Sequence, residues 1–337
     1  MPTSRNKNGG VIDPMPAGSG RSVSRRRGLP STRSEAGSEA EASPSQNCGS
    51  SCRGHASRYL LLLLIMVILG CSVLNRYIFI PKKILPATPE KYAIAYREIW
   101  FRTSDRVQLN GWFLPGAAGR SLVLFFHGNA GNLSDNLEYL NLLHRAGFPI
   151  FIFDYRGFGK SGGEPLQEND LYLDGRAALA YLARQGWPQE KIIFFGQSLG
   201  SAVALQMALE TKPAGLVMEG SFTSMNDMVR HVSPLAYYTV GWWGIHLPFD
   251  NSRKIARVEV PLLLIHGEKD PVVPVQMTRR LFALAGAPKM LHIISDGGHC
   301  NAFDRNSSAY LAAWSGYLLS ISATTAASGR KTMIFKP

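Results

Sequence analysis

The stretch Gly196-Gln197-Ser198-Leu199-Gly200 sets a serine between two glycines, directly after the apolar run Lys191–Phe195 and at the start of a helical stretch. A serine hydroxyl is a poor nucleophile until a base takes its proton, and the base is usually a histidine oriented by a carboxylate. Both partners follow in the chain. Asp270 lies in Ile265-His266-Gly267-Glu268-Lys269-Asp270-Pro271, past one apolar run, and His299 lies in Asp296-Gly297-Gly298-His299, past the next. The glycine pair lets the second loop turn sharply and present the imidazole. The chemistry that suits these three residues is acyl transfer through a serine ester. GxSxG alone is a common string, and its context gives it meaning: a sharp strand-to-helix turn strains the serine and needs small neighbours. Gly196 and Gly200 supply that room, and Ser201 and Ala202 keep the helix start slim. The competing reading makes Ser198 the N-cap of an ordinary helix.

Acyl transfer also needs two backbone N–H donors for the developing oxyanion. Leu199, next after the serine, is one candidate. Asn129, in Phe126-His127-Gly128-Asn129-Ala130-Gly131-Asn132, is the other, with Ala130 as its alternative. His127 precedes the serine and is expected to brace this loop by hydrogen bonding. Among rival acids, Glu268 shares the loop of Asp270, but Asp270 stands where the loop turns at Pro271. Asp227 and Asp250 read as solvated, and Asp296 shares the loop of His299, a poor angle for orienting it. His266 ends a strand and reads as packed or hydrogen-bonded, while His231, His246 and His292 have no suitable position. Asp154–Pro165 has glycines spaced like a phosphate loop, yet no Gly-Lys-Ser/Thr opens a helix at the full spacing. It reads as a structural loop beside the site, with Asp154 and Arg156 pairing with the backbone or with each other.

These residues need a scaffold that brings strand ends together. Tyr92–Arg102 and Val107–Leu114 read as a hairpin around Thr103-Ser104-Asp105. Short apolar runs follow at Leu122–Phe126, Ile150–Phe153, Lys191–Phe195, Leu216–Met218, Leu262–Ile265 and Leu291–Ile294. Helical stretches fall at Leu133–Ala146, Leu171–Gln185, Ser198–Glu210, Val275–Ala285 and Ala302–Leu319. Continuous apolar strands alternating with helices predict an α/β fold, a mostly parallel eight-stranded sheet with helices on both faces. Such sheets carry functional residues at the carboxyl ends of their strands. Ser221–Ile255 is too long for a simple crossover and holds Phe222, Tyr237, Tyr238, Trp242, Trp243 and Phe249, so a short helical cap is expected over about 221–255.

The ends differ from this body. Residues 1–57 are rich in Ser, Gly, Arg, Glu and Pro and cannot bury enough apolar surface to fold, so a disordered basic tail is expected. The net charge of +12 is concentrated there in part, nine Lys/Arg against four Asp/Glu in the first 58 residues. The remainder is spread without aromatic interleaving, which argues against a nucleic-acid partner. The uncharged run Leu60–Leu74 lies within 58–80, a hydrophobic anchor or signal segment. It is somewhat short for the ~30 Å hydrocarbon core, and extending it to Ile80 takes in Asn75 and Arg76. One reading is a single-span anchor and membrane association. Another is a signal region whose Ile68-Leu69-Gly70-Cys71 would be acylated at Cys71 as in a lipoprotein, or a secreted protein; the third is a buried helix. Cys48 and Cys52, with only His55 near them, make a poor zinc set. The body is expected over 92–320, with a C-terminal tail at 321–337 and no signal for an oligomeric state.

Taken together, His127–Asn132, Asp154–Gly159, Gly196–Ser201 and Gly298-His299 resemble the α/β-hydrolase superfamily, and within it the serine aminopeptidase/monoacylglycerol lipase-like branch and its membrane-anchored α/β-hydrolase domain proteins. The resemblance covers roughly Tyr92–Leu319. It implies hydrolysis of esters, thioesters or amides with no metal and no organic cofactor, with Ser198, Asp270 and His299 as the triad. A small-molecule or lipid acyl substrate is favoured, with a peptidase as the alternative and a non-catalytic binding protein as the reading from another class. Cys300 departs from the pattern, which often has a polar residue such as Asn after the histidine; this is expected to alter the rim of the site, not the triad.

Overall fold

The computed structural model describes residues 79–235, 237–238 and 247–331. The basic tail and nearly all of segment 58–80 lie outside the described residues. Among the described residues no helix is long and apolar enough to cross a membrane. Phe79 and Ile80, expected at the end of that segment, belong to the body: Phe79 is buried, and strand β1 (Ile80–Pro81) pairs in parallel with β5 (Ala130–Gly131). The body therefore begins before Tyr92.

Eight strands form the main sheet: β2 (Arg97–Arg102), β3 (Gln108–Leu114), β4 (Leu122–Phe126), β6 (Ile150–Phe153), β7 (Ile192–Gln197), β8 (Gly215–Glu219), β9 (Leu262–Gly267) and β10 (Lys289–Ile294). Their spatial order is β10-β9-β8-β7-β4-β6-β3-β2. β2 and β3 form the hairpin, β3 also runs antiparallel to β6, and the other pairings are parallel. The pleat divides each apolar strand between two cores. Leu122, Leu124, Phe126, Phe194, Leu216, Leu262 and Leu264 pack on one face. Val123, Phe125, Ile193, Phe195, Val217 and Leu263 pack on the other. This two-sided burial is why the runs are continuous rather than alternating.

Helices α1 (Leu137–Arg145), α2 (Glu168–Arg184) and α3 (Leu199–Thr211) are followed by α4 (Met225–Val232), α5 (Asn251–Ile255), α6 (Val275–Leu284), α7 (Ala302–Arg305) and α8 (Ser307–Lys331). α2 and α3 cover the first core and α1 and α8 the second, through Leu171, Ala178, Ala202 and Val203, and through Leu140, Leu143, Tyr310 and Trp314. The helix expected over 302–319 is split at Asn306, whose side chain accepts a 3.0 Å bond from Ala309 N and so caps α8. α8 then runs on to Lys331, through most of the expected C-terminal tail. The cap expectation is met only in part. α4 is a short helix there, but Phe222 and Phe249 are core residues and α5 packs on α3 and α6. Tyr238 is exposed; Trp242 and Trp243 lie outside the described residues.

Arg156 corrects one expectation. It pairs not with Asp154 but with Asp174 of α2, giving Nε and Nη2 bonds of 2.9 and 2.8 Å to Oδ1 while its own amide donates to Oδ2 at 2.8 Å. Its Nη1 reaches Asp105 in the β2–β3 turn at 2.7 Å. One guanidinium thus ties the hairpin turn to the helix layer. Asp174 is fully buried, whereas Asp105 is 40% exposed, so the inner pair dominates. Arg156→Ala leaves a buried carboxylate unpaired and is expected to cost about 3–5 kcal/mol, read as a fall in the urea midpoint at neutral pH.

Candidate active site

β7 ends at Gln197 and α3 begins at Leu199, so Ser198 alone makes the turn, at φ 50° and ψ −116°. An L-residue held there costs about 1–3 kcal/mol, and the surroundings must enforce it. The Ser198 amide donates to Glu219 O at 2.8 Å, and the Ser198 carbonyl accepts from Ser201 N at 3.0 Å. The glycines leave no choice: a Cβ on Gly196 would lie 2.4 Å from Gly200 O, and one on Gly200 only 2.0 Å from Phe126 O. The Ser198 side chain makes no capping bond to α3, so the N-cap reading is set aside.

Asp270 and His299, 29 positions apart, are joined by a 2.7 Å bond between His299 Nδ1 and Asp270 Oδ2. Asp270 Oδ1 accepts from the amides of Val272 and Val273, each at 2.8 Å, and Oδ2 also lies 3.2 Å from His266 Nε2. Burial opposes ionisation here, but His266, His299 and the Val273 amide outweigh it and hold the carboxyl well below the usual range. His266 is fully buried, with Nδ1 2.7 Å from Thr278 Oγ1 and Nε2 2.9 Å from Val273 O. It is the hydrogen-bonded histidine expected, and it also braces the acid. The two loops meet backbone to backbone, since a Cβ on Gly267 would lie 2.3 Å from Gly297 C.

The far side of the imidazole corrects the reading of Cys300. Its thiol is not on the rim but 3.8 Å from His299 Nε2, held by a positive φ of 48°. Burial pushes this thiol well above its ordinary value, with Glu219 and Asp270 acting in the same direction, so it is a neutral thiol. Ser198 Oγ and His299 Nε2 share no hydrogen bond in this structure. Such contacts are often open without substrate and tighten when it binds.

The loop after β4 lies against the serine: a Cβ on Gly128 would stand 3.7 Å from Ser198 Cβ. β1 pins this loop from outside, and Asn132 Nδ2 donates to Lys82 O and Ile84 O. His127 is buried beneath it, with Nδ1 2.8 Å from Gly128 O and Nε2 3.5 Å from Asp154 Oδ1. Burial pushes His127 down to about 4 and Asp154 up to about 8. His127 is therefore a neutral brace. Asp154 Oδ1 accepts from Leu133 N at 2.8 Å, linking β6 to the same loop.

The structure adds Glu219, a wholly buried carboxylate at the end of β8 that sequence reading passed over. Tyr139 Oη, Tyr310 Oη and Gln197 Nε2 donate to it at 2.5, 3.0 and 3.3 Å. Gly220 follows at φ 60°; a Cβ there would lie 2.9 Å from Cys300 Sγ and 3.3 Å from His299 Cε1. The only available signal was a carboxylate at the end of an apolar strand. The rivals go elsewhere. Asp296 pairs with Lys269 at 2.7 Å and Asp250 caps α5 through Arg253 N. Asp227 accepts from Thr223 Oγ1, and Glu268 is exposed. His231 is exposed on α4, His292 lies within β10, and His246 is outside the described residues. Among the described residues no group of three or more His, Cys, Asp or Glu could hold a metal ion.

Residues 117–254 match the family described as serine aminopeptidase, S33. The uncharacterized protein YfhR of Salmonella typhi is 31% identical over 268 residues, 73% of this chain and 88% of its own length. Protein bem46 of Schizosaccharomyces pombe is 34% identical over 214 residues, 60% of this chain and 70% of its own. Among solved structures, the Pyrococcus furiosus esterase Pf2001 superposes with a TM-score of 0.60 over 72% of this chain and 98% of its own, at 20% identity. That last likeness speaks for the fold, which the sheet order and the strand-to-helix turn already define. With relatives above 30% identity covered over most of their length, this chain belongs to the α/β-hydrolase superfamily.

Proposed function

We propose that this hydrolase is a serine hydrolase that cleaves a carboxylic ester or thioester through an acyl-enzyme. The observation that carries the reading is the meeting, at the carboxyl edge of one sheet, of a strained Ser198 with a His299–Asp270 pair bonded at 2.7 Å. Ser198 Oγ attacks the acyl carbonyl while His299 Nε2 takes its proton. The amides of Leu199 and Asn129 hold the oxyanion, consistent with Gly128 lying against Ser198. The tetrahedral adduct collapses, and the departing alcohol or thiol takes the proton from His299. Water then attacks the acyl ester, its proton passing through His299 back to Ser198 as the acid leaves. Asp270 keeps the imidazole in the tautomer whose Nε2 is free to accept.

A medium or long acyl chain is the favoured substrate, and β1 adds to the argument. Phe79 is buried and Ile80 pairs with Ala130, in the loop beside Ser198. On this reading an anchor within 58–80, or a lipid on Cys71, holds the rim of the site close to a membrane surface. The match to a family described as serine aminopeptidase supports the amide alternative.

A fluorophosphonate probe is expected to label the protein and to lose that labelling in Ser198→Ala; equal labelling of both would sink the serine reading. Asp270→Asn should lower kcat by about 10⁴ by favouring the wrong tautomer. It also carries a pH signature. The folded carboxyl lies below its ordinary value of 3.8, so its stabilisation is present above that value and is lost as pH falls through the folded one. Urea midpoints should show the variant weaker at neutral pH and its deficit shrinking below about pH 4. In a p-nitrophenyl ester series, kcat/KM should rise with acyl length and exceed that for aminoacyl anilides; a preference for anilides would favour the peptidase.

A further inference from the structure

Glu219 is the buried titratable group that this mechanism leaves unused. Its main-chain carbonyl receives the Ser198 amide at 2.8 Å, and its side chain receives Gln197, the residue just before the serine. Tyr139 from α1 and Tyr310 from α8 complete the set. Three donors converge on two carboxylate oxygens, an arrangement that an ionised carboxylate accepts in full. Next in the chain, Gly220 lies against the ring of His299, and Cys300 Sγ sits 4.0 Å from Glu219 O and 3.8 Å from His299 Nε2.

We propose that Glu219 is a positioning residue for hydrolysis: its backbone fixes the elbow, and its buried side-chain charge favours the proton that His299 holds in the transition state. The proposal rests on the serine-hydrolase reading of Ser198 and His299. Burial dominates and raises Glu219 above the ordinary carboxylate value, while the bonds from Tyr139, Gln197 and Tyr310 and the charge on His299 pull against it. Burial and Glu219 itself raise Tyr139 and Tyr310 well above the ordinary phenol, so both stay neutral donors. Asp270 bonds His299, Cys300 lies against it, and Glu219 interacts with its charge. Asp270 bonds the Nδ1 side, while Glu219 acts from the sheet side, through low-dielectric surroundings that strengthen charge interactions. Imidazolium formed as Ser198 attacks is thus stabilised by two carboxylates, only one of which it touches.

The test is the pH profile of p-nitrophenyl ester turnover by the full chain, with fluorophosphonate labelling alongside. Glu219→Gln keeps the shape and removes the charge. It is expected to lower kcat about tenfold with KM unchanged, and to move the acid limb to lower pH by about one unit, because His299 then gives up its proton more readily. Tyr310→Phe takes one donor from the carboxylate, which then protonates and loses its charge at higher pH, so the acid limb should move in the same direction as in Glu219→Gln but less far. Two shifts in one direction, the larger where the charge is removed outright, are a signature that a packing role does not produce. If Glu219→Gln fails to melt cooperatively, the Tyr310→Phe limb decides alone. Limbs that stay in place, or that move to higher pH, overturn the proposal and leave the hydrolase reading standing. A wild-type chain that neither turns over esters nor takes the probe overturns both.

Discussion

Ser198 occupies backbone angles that an L-residue resists, and the architecture around it is arranged to hold it there. The restraint is steric as much as hydrogen-bonded: α3 lies so close to the ends of β4 and β7 that side chains at Gly196 and Gly200 are excluded. That approach requires β4 and β7 to be neighbours in the middle of the sheet, with a slender helix laid directly on them. The cost of the turn, about 1–3 kcal/mol, is small beside the burial of the Phe-rich strands on both faces, so the scaffold can sustain it. Strain of this kind keeps the hydroxyl presented without relying on a flexible loop.

Around that turn the sheet works as an alignment device. Residues distant in the chain come together because parallel strands end at one edge: the His127 loop after β4, Glu219 on β8, Asp270 after β9 and His299 after β10. Gly267, pressed against Gly297, fixes the spacing of the last two loops and with it the bond between acid and histidine. Two of the buried polar groups are satisfied locally, His266 by Thr278 and Val273 and Glu219 by three donors, so the site is braced from below by hydrogen bonds.

Much of this was legible in the chain. Two-sided burial writes parallel strands as unbroken apolar runs, and the ends of Leu122–Phe126 and Ile150–Phe153 coincide with the strands observed. The placement of Ser198, Asp270 and His299 past strand ends could be read because loops at such positions carry turn residues. What escaped was tertiary. That Glu219 sits beneath the elbow depends on two helices, α1 and α8, each supplying a tyrosine from a distant position. That Cys300 touches Nε2 depends on a positive φ at a residue that seldom adopts one. The pairing of β1 with β5 involves two residues on each side, too few to leave a periodic pattern. Arg156 chose Asp174 over Asp154 because the guanidinium could reach a buried helix carboxylate while Asp154 was already bonded to Leu133.

The segment after β8 has its two ends fastened together. Asn251 Nδ2 donates to Phe222 O at 2.9 Å, Ser252 N donates to Thr223 O at 3.0 Å, and Phe222 and Phe249 are both sunk in the core. The stretch between them is thus a closed loop whose mouth is set by the body rather than by its own sequence. Chain entropy then makes changes in its length inexpensive, about 0.6 kcal/mol for a doubling. An insert fastened in this way can change length while the arrangement of Ser198, Asp270 and His299 stays the same. The length of that insert and the placement of Ser198, Asp270 and His299 are in that sense set by separable parts of the chain.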